Sequence, residues 1–462
     1  GVLDLTNSTL ELYGPFLNDG GTLTTEASTL SLQGNSLFRL GGNVTFDNYN
    51  PNGWGILLYN NQQTGVEKSL TLGTDDTTII LEPNAASLTD GFVSWYHDDE
   101  TEYSSGTHSI GIDANDTILV INGNITIGES ATISANSGNV SLGNLILSDN
   151  GSISMVTSQI SIEEGSIGEN SQIELENSSE ITLEGDFSVE GVLSLGDSTF
   201  DLEGNTLELA GGTVSTSSDI SLDGALSISE NSEISISQGY TLTLDQGGLD
   251  LGANSLSLSG GGSVVSGGIE LNNAQSKLLL NSITLDSAST SADSLGVDVD
   301  ANSTITALTV SNTTPVSIAD GVSLSGAITV PVAAGTINLD ETGTLASTVT
   351  MTKGTLDVDE TATVSGALTQ SGDITIDVLT DKTLTYEGAA VNIGANTLTL
   401  LGGGTLTNTN NLVLSNANSK LLLNSITLGS ASTSSDSLGV DVDADSTITA
   451  LTVSNATPIS IA

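Results

Sequence analysis

Short apolar triplets separated by polar residues and glycine recur along the chain from about residue 118 onward. Examples are ISI at 234–236, LTL at 242–244, LDL at 249–251 and LSL at 256–258. Apolar and polar residues alternate within each triplet, which is the period-two pattern of a strand with one buried face. The triplet centres lie about seven residues apart, which leaves three or four residues for each bend.

This spacing favours a parallel β-solenoid over a sheet of hairpins. Hairpin strands are usually about five or six residues long and are joined by tight Asn-Gly or Asp-Gly turns. Triplets at the spacing seen here fit the sides of a coil, and three such sides give a coil of roughly 20 residues on which the next coil stacks. The Gly or Asn that follows many triplets supplies the positive backbone dihedral angle that a corner needs. We therefore predict an all-β, right-handed parallel β-solenoid with coils of roughly 20 residues.

A long repeat overlies the short one. Residues 276–319 and 419–462 are the same 44-residue stretch with five differences, and the upstream segment 224–244 corresponds to 366–386 at an offset of 142. One inserted residue then brings the offset to 143. A unit of this length divided by coils of about 20 residues predicts close to seven coils, or roughly 33 Å of stacked strands. We expect the array to continue in a longer parent chain, and a start at Gly1 without Met is typical of a processed product or a fragment.

The N-terminal 117 residues differ in composition from the rest. They hold both tryptophans, both histidines, five of the seven tyrosines and four of the six phenylalanines. This concentration predicts a distinct β-rich element, which would be a cap, a looped-out insertion or a small β-sandwich domain. The predicted divisions are 1–117 for this element, 118–223 for a first solenoid segment, 224–365 for repeat unit 1 and 366–462 for a truncated repeat unit 2.

Basic residues are almost absent from the chain. Six Lys and Arg stand against 56 Asp and Glu, so the formal net charge is −50. Proteins neutralise phosphates with Lys and Arg, and this composition therefore excludes nucleic acid and anionic membrane surfaces as partners. The absence of cysteine excludes disulfides and Cys-ligated metals. No apolar run reaches the length of roughly 18 residues that membrane insertion requires.

One segment combines aromatic and ionisable residues, WYHDDETEY at 95–103. Aromatic rings stack on sugars, and His with carboxylates can bind a divalent cation. The alternative is an irregular loop that packs its aromatic side chains and exposes its acids to solvent. The candidate ligand-binding residues, with glycans as the possible partner, are Trp54, Tyr59, Trp95, Tyr96 and His97.

Acidic residues spaced two apart form a second candidate site, in GVDVDANST and its repeat GVDVDADST. Residues two apart in a strand project on one side, and a row of outward carboxylates can hold Ca²⁺. The motif lacks the Gly and Glu of an EF-hand loop, so a solvated acidic face is the alternative. Ca²⁺ is the one cofactor considered, with the candidate ligands Asp298, Asp300, Asn302, Asp441, Asp443 and Asp445.

The triplet LLL breaks the alternation once in each long repeat. It places Leu279 and Leu422 on the outer face, next to the rare lysines Lys277 and Lys420. A lateral self-association contact repeated once per unit is one interpretation. A local bulge or a wider coil that buries all three leucines is the other.

The triplets with Gly or Asn corners resemble the Ser/Thr/Gly/Asn-rich β-solenoid surface proteins of bacteria. The segments that carry this resemblance are GNTLELAGGTVS at 204–215, GGGSVVSGGIEL at 260–271 and GGGTLTNTNNLVL at 402–414. Such proteins include filamentous-haemagglutinin-like adhesins, autotransporter passenger domains and giant repeat proteins of cell-surface fibres. The resemblance implies an extracellular or cell-surface stalk, fibre or adhesin, and it carries over no particular site residues.

We expect a structural, non-enzymatic protein, because near-identical copies lengthen a spacer but add nothing to a catalytic site. We also expect it to assemble with itself, either laterally or end to end, because the open ends of a solenoid are unpaired sheet edges to which another chain can add. Two alternatives stay open. One is a polysaccharide lyase or hydrolase on the same fold, since a hydrolytic pair needs only two carboxyl groups at a suitable separation. The other is a glycan-binding adhesin.

Overall fold

The computed structural model describes most of the chain and resolves it into strands and turns. The described residues are 2–13, 16–18, 22–25, 27–33, 37–40, 44–46, 48–52, 55–59, 69–72, 78–81, 111–115, 118–128, 132–148 and 150–462. They form two compact units, Gly1–Leu226 and Ser227–Ala462. Neighbouring strands pair in parallel within each unit. Among the described residues, no helix is long and apolar enough to cross a membrane.

The register of the first unit shows the coil length directly. Ile133 pairs with Ile153, Ile153 with Ile173, and Ile173 with Leu193. These steps are equal in sequence length, and the next one, from Leu193 to Val214, is longer by a single position. The prediction from the triplets, a parallel β-solenoid with coils of roughly 20 residues, is therefore confirmed.

Each coil has three strand-forming sides. In the first unit, Ser152–Val156 forms one side, and the long strand Gln159–Ile167 covers the other two. One coil further on, the long strand is replaced by two short ones, Glu180–Leu183 and Phe187–Val189, that pair with its two halves. A long bent strand and two short strands are therefore equivalent ways to pass the same corner.

The strand bounds of the N-terminal segment and of the remainder of the first unit follow in chain order. The strands up to residue 117 are Val2–Asp4, Thr9–Leu12, Phe16–Asn18, Thr22–Thr24, Thr29–Gln33, Leu37–Leu40, Val44–Phe46, Asn48–Asn52, Gly55–Tyr59, Ser69–Leu72, Thr78–Leu81 and Gly111–Asn115. Those that follow are Ile118–Ile127, Thr132–Asn136, Asn139–Leu147, Ser152–Val156, Gln159–Ile167, Gln172–Glu176, Glu180–Leu183, Phe187–Val189, Val192–Ser194, Thr199–Asp201, Thr206–Ala210, Thr213–Thr216, Ile220–Leu222 and Ala225–Glu230.

The second unit continues the pattern over residues 232–461. Its strands are Ser232–Ile236, Thr241–Leu244, Leu249–Asp250, Ser255–Ser259, Ser263–Val265, Ile269–Leu271, Lys277–Asn281, Thr284–Thr290, Gly296–Ala301, Ser303–Val310, Thr313–Ile318, Ser323–Val330, Thr336–Leu339, Thr344–Leu345, Thr348–Met351, Thr355–Val358, Ala362–Val364, Leu368–Gln370, Ile374–Val378, Thr383–Tyr386, Val391–Asn392, Thr397–Leu401, Thr405–Asn408, Leu412–Leu414, Lys420–Leu423, Thr427–Thr433, Gly439–Val442, Thr447–Thr452 and Ile459–Ile461.

The long repeat of the second unit contains seven coils. Seven successive strand pairings lead from Lys277–Asn281 to Lys420–Leu423. The predicted number of coils per repeat is therefore confirmed. At the usual spacing of about 4.8 Å between strands, one repeat adds about 34 Å of stacked coils.

The interior of both units is a stack of Leu, Ile and Val side chains. Ile153, Ile173 and Leu193 are 0% exposed in the first unit, and Leu278 and Leu280 are 0% exposed in the second. Full burial of one such side chain stabilises the fold by about 1.5–3 kcal/mol, so the alternating pattern is the main source of stability.

The described strands of the N-terminal segment also pair in parallel. Val2 pairs with Thr22 and Leu30 with Tyr49, and each of these steps spans about one coil of chain. Coil-like pairing therefore begins well before residue 118. The predicted right-handedness and the predicted distinct element over 1–117 stay predictions.

Candidate functional site

Two neighbouring strands of the second unit bring the rare lysine, the outward leucine and the first acid of the aspartate motif together. In Lys277–Asn281, Leu278 and Leu280 are buried, whereas Lys277 and Leu279 lie on the outer face and are half-buried. The next strand on this side is Gly296–Ala301, in which Asp298 pairs in register with Leu279. The outer faces of the two strands therefore form one continuous surface.

Lys277 and Asp298 form an ion pair across the two coils. The Lys277 Nζ lies 2.6 Å from Asp298 Oδ2, and the two side chains are 31% and 20% exposed. The second copy repeats the pair, with Lys420 Nζ 3.0 Å from Asp441 Oδ2. We name the surface formed by Lys277, Leu279 and Asp298, and its copy formed by Lys420, Leu422 and Asp441, the lysine–aspartate face.

Glycine occupies the position directly above each lysine. Lys277 pairs in register with Gly296, and Lys420 with Gly439. Gly296 has a φ of +88°, and a Cβ there would lie 2.0 Å from the carbonyl oxygen of Pro315. Gly439 has a φ of +105° and the same separation from the Pro458 carbonyl oxygen. Only glycine meets both demands, because an L side chain rarely adopts this backbone conformation and the space is already filled.

A buried serine holds the start of each lysine strand. The Ser276 hydroxyl donates to the Gly252 carbonyl at 2.5 Å and accepts from the Asn273 backbone N–H at 3.0 Å. The Ser419 hydroxyl likewise donates to the Gly394 carbonyl and accepts from the Asn416 backbone N–H. Both serines are 0% exposed, so the corner before each lysine is tied to the coil below.

Three of the six predicted calcium ligands have partners within the protein. Asp298 and Asp441 are held by lysines. Asn302 Oδ1 accepts a hydrogen bond of 2.9 Å from the Ser323 backbone N–H one coil further on. Within the described part of the chain, no three His, Cys, Asp or Glu side chains are grouped so that they could hold a metal ion.

The remaining members of the two motifs, Asp300, Asp443 and Asp445, are exposed. Calcium binding at these motifs stays a prediction. The lysine pairing shows that the first acid of each motif is already neutralised by a side chain of the same protein.

Two acids that the sequence reasoning missed lie near the first copy of the lysine–aspartate face. The Ser317 hydroxyl, on the coil after Asp298, donates to Asp340 Oδ1 at 2.7 Å. Glu341 is exposed, but partial removal of solvent around its carboxyl group, followed by the negative charges of Asp298, Asp340 and Asp300, raises its pKa above the ordinary value. Their signal in the sequence is the DE pair that follows the triplet INL at 337–339.

A column of carboxylates on the same side of the second unit was also missed. Asp357 and Asp377 pair in register on successive strands. Burial is the main cause that raises the pKa of both carboxyl groups, and the charge of Asp359 raises both further. The Asn338 amide donates to Asp359 Oδ2 at 3.0 Å. The sequence signal for this column was a pair of triplets with one outward Asp each, LDV and IDV.

Of the five predicted ligand-binding residues, the structure describes only Tyr59. The other four, Trp54, Trp95, Tyr96 and His97, lie outside the described part of the chain. Tyr59 ends the strand Gly55–Tyr59 and pairs with Asn115. A glycan site at these residues stays a prediction.

Chemically, the lysine–aspartate face is a small apolar patch beside a neutralised charge pair. Such a surface can contact another protein surface, but it presents neither a nucleophile activated by a base nor a cluster of unpaired cations. No family model matches the chain, and comparisons with curated proteins and with solved structures find no similar protein.

Proposed function

We propose that this chain is a structural component of a bacterial extracellular or cell-surface filament or stalk, acting mechanically as a stack of repeated coils. The observation that supports the proposal best is the recurrence of the lysine–aspartate face. The same ion pair, the same outward leucine and the same glycine recur seven coils apart in the second unit.

Repetition of this kind suits a spacer. Each coil contacts its neighbours, so stability grows with every added coil and a longer array gains length without a new fold. Catalysis needs one constellation of residues, and a near-identical second copy adds no step to it. The half-buried Leu279 and Leu422 offer a lateral contact once in about 34 Å of stacked coils.

Electron microscopy of the purified protein tests the mechanical proposal. We expect thin, unbranched particles whose width is that of one coil or of a few coils side by side. Compact particles without a long axis would overturn the proposal. The mass of the denatured native protein then separates one giant chain, at several times 46.7 kDa, from a polymer of subunits.

Trypsin digestion provides an independent test. Lys277, Lys382 and Lys420 are partly buried and ion-paired to Asp298, Glu360 and Asp441. We expect native protein to resist cleavage at these residues, and heat-denatured protein to be cleaved at all of them. Rapid cleavage of the native protein at Lys277 or Lys420 would contradict a rigid stack.

One observation favours the alternative of a polysaccharide hydrolase. Asp357 and Asp377 stand one coil apart, at about 4.8 Å between strands, and retaining glycosidases place two carboxyl groups about 5–5.5 Å apart. Incubation with acidic and neutral polysaccharides, with and without Ca²⁺, tests this function. Hydrolysis that is lost in Asp357→Asn and Asp377→Asn but kept in Asp320→Asn would replace the structural proposal.

A further inference from the structure

A groove bordered by polar side chains lies on the outer surface of the first unit, and its lining also includes Val140 and Ile160. It has a volume of about 310 Å³, at the lower end of the range of roughly 300–1,000 Å³ that small-molecule sites occupy. Its polar lining comes from three successive strands, with the side chains Asn139, Ser141, Gln159, Ser161, Glu180 and Thr182. We name it the hydroxyl groove.

The lining residues form two columns because the three strands pair in register. Ser141 pairs with Ser161, and Ser161 with Thr182, which produces a column of hydroxyl groups. Asn139, Gln159 and Glu180 form the parallel column two residues earlier in each strand. Equivalent groups therefore repeat at about 4.8 Å along the direction in which the coils stack.

The hydroxyl groups of this column are available to form hydrogen bonds. Within the described residues, the side chains of Ser141, Ser161 and Thr182 make no hydrogen bond. A comparable pair on another side of the same coils, Thr132 and Ser152, bond each other at 2.9 Å. The hydroxyl groups of the groove therefore present donors and acceptors to a ligand.

The second column contributes amide and carboxylate groups. Gln159 Nε2 donates to Glu180 Oε2 at 2.7 Å, which orients the amide and leaves its carbonyl oxygen available as an acceptor. None of the lining residues is cationic or aromatic. Residues 69–276, which include the whole groove, contain no Lys or Arg. An anionic ligand would meet Glu180 with no cation to compensate it, so the groove disfavours anions.

We propose that the hydroxyl groove binds an extended, neutral oligosaccharide whose chain runs along the stacking direction. Each coil presents one hydroxyl group and one longer polar side chain to the ligand. The interval between coils is close to the length of one hexose in an extended chain, so successive sugars meet equivalent groups. This site is independent of the mechanical function proposed above.

Isothermal titration calorimetry with the β-1,4-linked glucose hexamer tests the proposal on the full chain. We expect the hexamer to bind the wild-type protein, and the double variant Ser161→Ala with Thr182→Val to bind it about tenfold or more weakly, because each lost hydrogen bond costs a few-fold in affinity. Ser154→Ala is the matched control, since Ser154 is an outward serine on the strand Ser152–Val156, outside the groove. It should bind like the wild type.

Two further measurements keep the proposal falsifiable. Ser161→Tyr places a large side chain in the groove and should abolish binding, with circular dichroism used to verify that each variant is folded. The α-1,4-linked galacturonate hexamer should bind at least tenfold more weakly than the neutral hexamer. Absence of binding by the neutral hexamer, equal binding by the galacturonate hexamer, or unchanged binding in the folded double variant would each overturn the proposal.

Discussion

Lys277 and Asp298 lie on successive coils, one full turn of the chain apart, with Nζ and Oδ2 at 2.6 Å. The same relationship joins Lys420 to Asp441 at 3.0 Å. Each pair links two coils through side chains, in addition to the backbone ladder. All four side chains are 20–33% exposed, so solvent weakens the attraction within each pair.

We predict that removal of both lysines changes stability only slightly. The double variant Lys277→Met with Lys420→Met should lower the free energy of unfolding by no more than about 1–2 kcal/mol, because a partly exposed pair contributes about 0–1 kcal/mol. Chemical denaturation at low and high salt measures the change, and the difference from wild type should shrink at high salt. A loss of several kcal/mol that is insensitive to salt would show that the pairs are effectively buried.

The glycine above each lysine is predicted to be far more sensitive than the lysine. Gly296→Ala introduces a Cβ that lies 2.0 Å from the Pro315 carbonyl oxygen, at a φ of +88°. Gly321→Ala is the matched control, because Gly321 has a φ of +73° and no atom within 4 Å of the added Cβ. The control should cost about 1–2 kcal/mol for its backbone conformation.

The thermal midpoints of the two glycine variants provide the measurement. Gly296→Ala should unfold at a clearly lower temperature than Gly321→Ala, because the clash adds to the same backbone cost. Equal midpoints would mean that the Pro315 strand moves away freely, and that the two coils are not closely packed at this point.

Asp286 is predicted to stabilise a loop one coil below it. Its carboxylate accepts hydrogen bonds from the Ser266 backbone N–H at 3.0 Å, the Ser266 hydroxyl at 2.9 Å and the Gly267 backbone N–H at 3.2 Å. Asp286→Ala leaves these donors without their acceptor and should lower the free energy of unfolding by about 1–3 kcal/mol. Chemical denaturation measures the loss, and the exposed Asp320→Ala should leave stability within about 0.5 kcal/mol of wild type.

The second copy shows how the repeat tolerates a change at this position. Gly429 stands where the first copy has Asp286, and the strand pairings align Asn408 with Ser266. Asn408 now supplies the acceptor, since its Oδ1 receives the Ser430 backbone N–H at 2.8 Å. In the first copy a carboxylate on the upper coil thus fixes this corner, and in the second copy an amide on the lower coil does so.

The stacked aspartates predict a pH dependence of stability. Burial and the charge of Asp359 raise the pKa of Asp357 and Asp377 in the folded protein above the ordinary value of 3.8. Between the ordinary and the raised value, the folded state binds more protons than the unfolded state. Stability therefore falls as the pH rises through this window.

Asp377→Asn removes one of the two interacting charges. We expect the variant to be more stable than the wild type at neutral pH, with a difference that shrinks as the pH falls toward about 4. Thermal midpoints measured from neutral pH to about pH 4 provide the test, with Asp320→Asn as the control at an exposed site. A difference that stays constant over this range would show that burial and mutual repulsion do not raise the pKa of these two carboxyl groups in the folded protein.

Much of the fold follows from local pattern. Alternation within triplets such as LTL at 242–244 identifies Leu242 and Leu244 as interior residues, and the structure buries both. The seven-coil length of the long repeat likewise follows from its residue count. The sequence singled out each member of the lysine–aspartate face but did not predict their contact, because Lys277 and Leu279 were assigned to self-association and Asp298 to calcium binding.

The reason lies in the corners between strands. The alternation of apolar and polar residues is a local property, so the amino-acid order alone determines which side chains face inward and roughly how long a coil is. Coil length nevertheless varies along the chain. The step from Leu278 to Val297, for example, is clearly shorter than the step from Ile376 to Leu400.

Corner conformation absorbs this variation and sets the register, and register alone determines which outward residues meet. The contact of Lys277 with Asp298, the stacking of Asp357 on Asp377 and the hydroxyl column of the groove all depend on that register. These three arrangements therefore emerge only from the folded coils, whereas the buried core and the coil count are already present in the order of the residues.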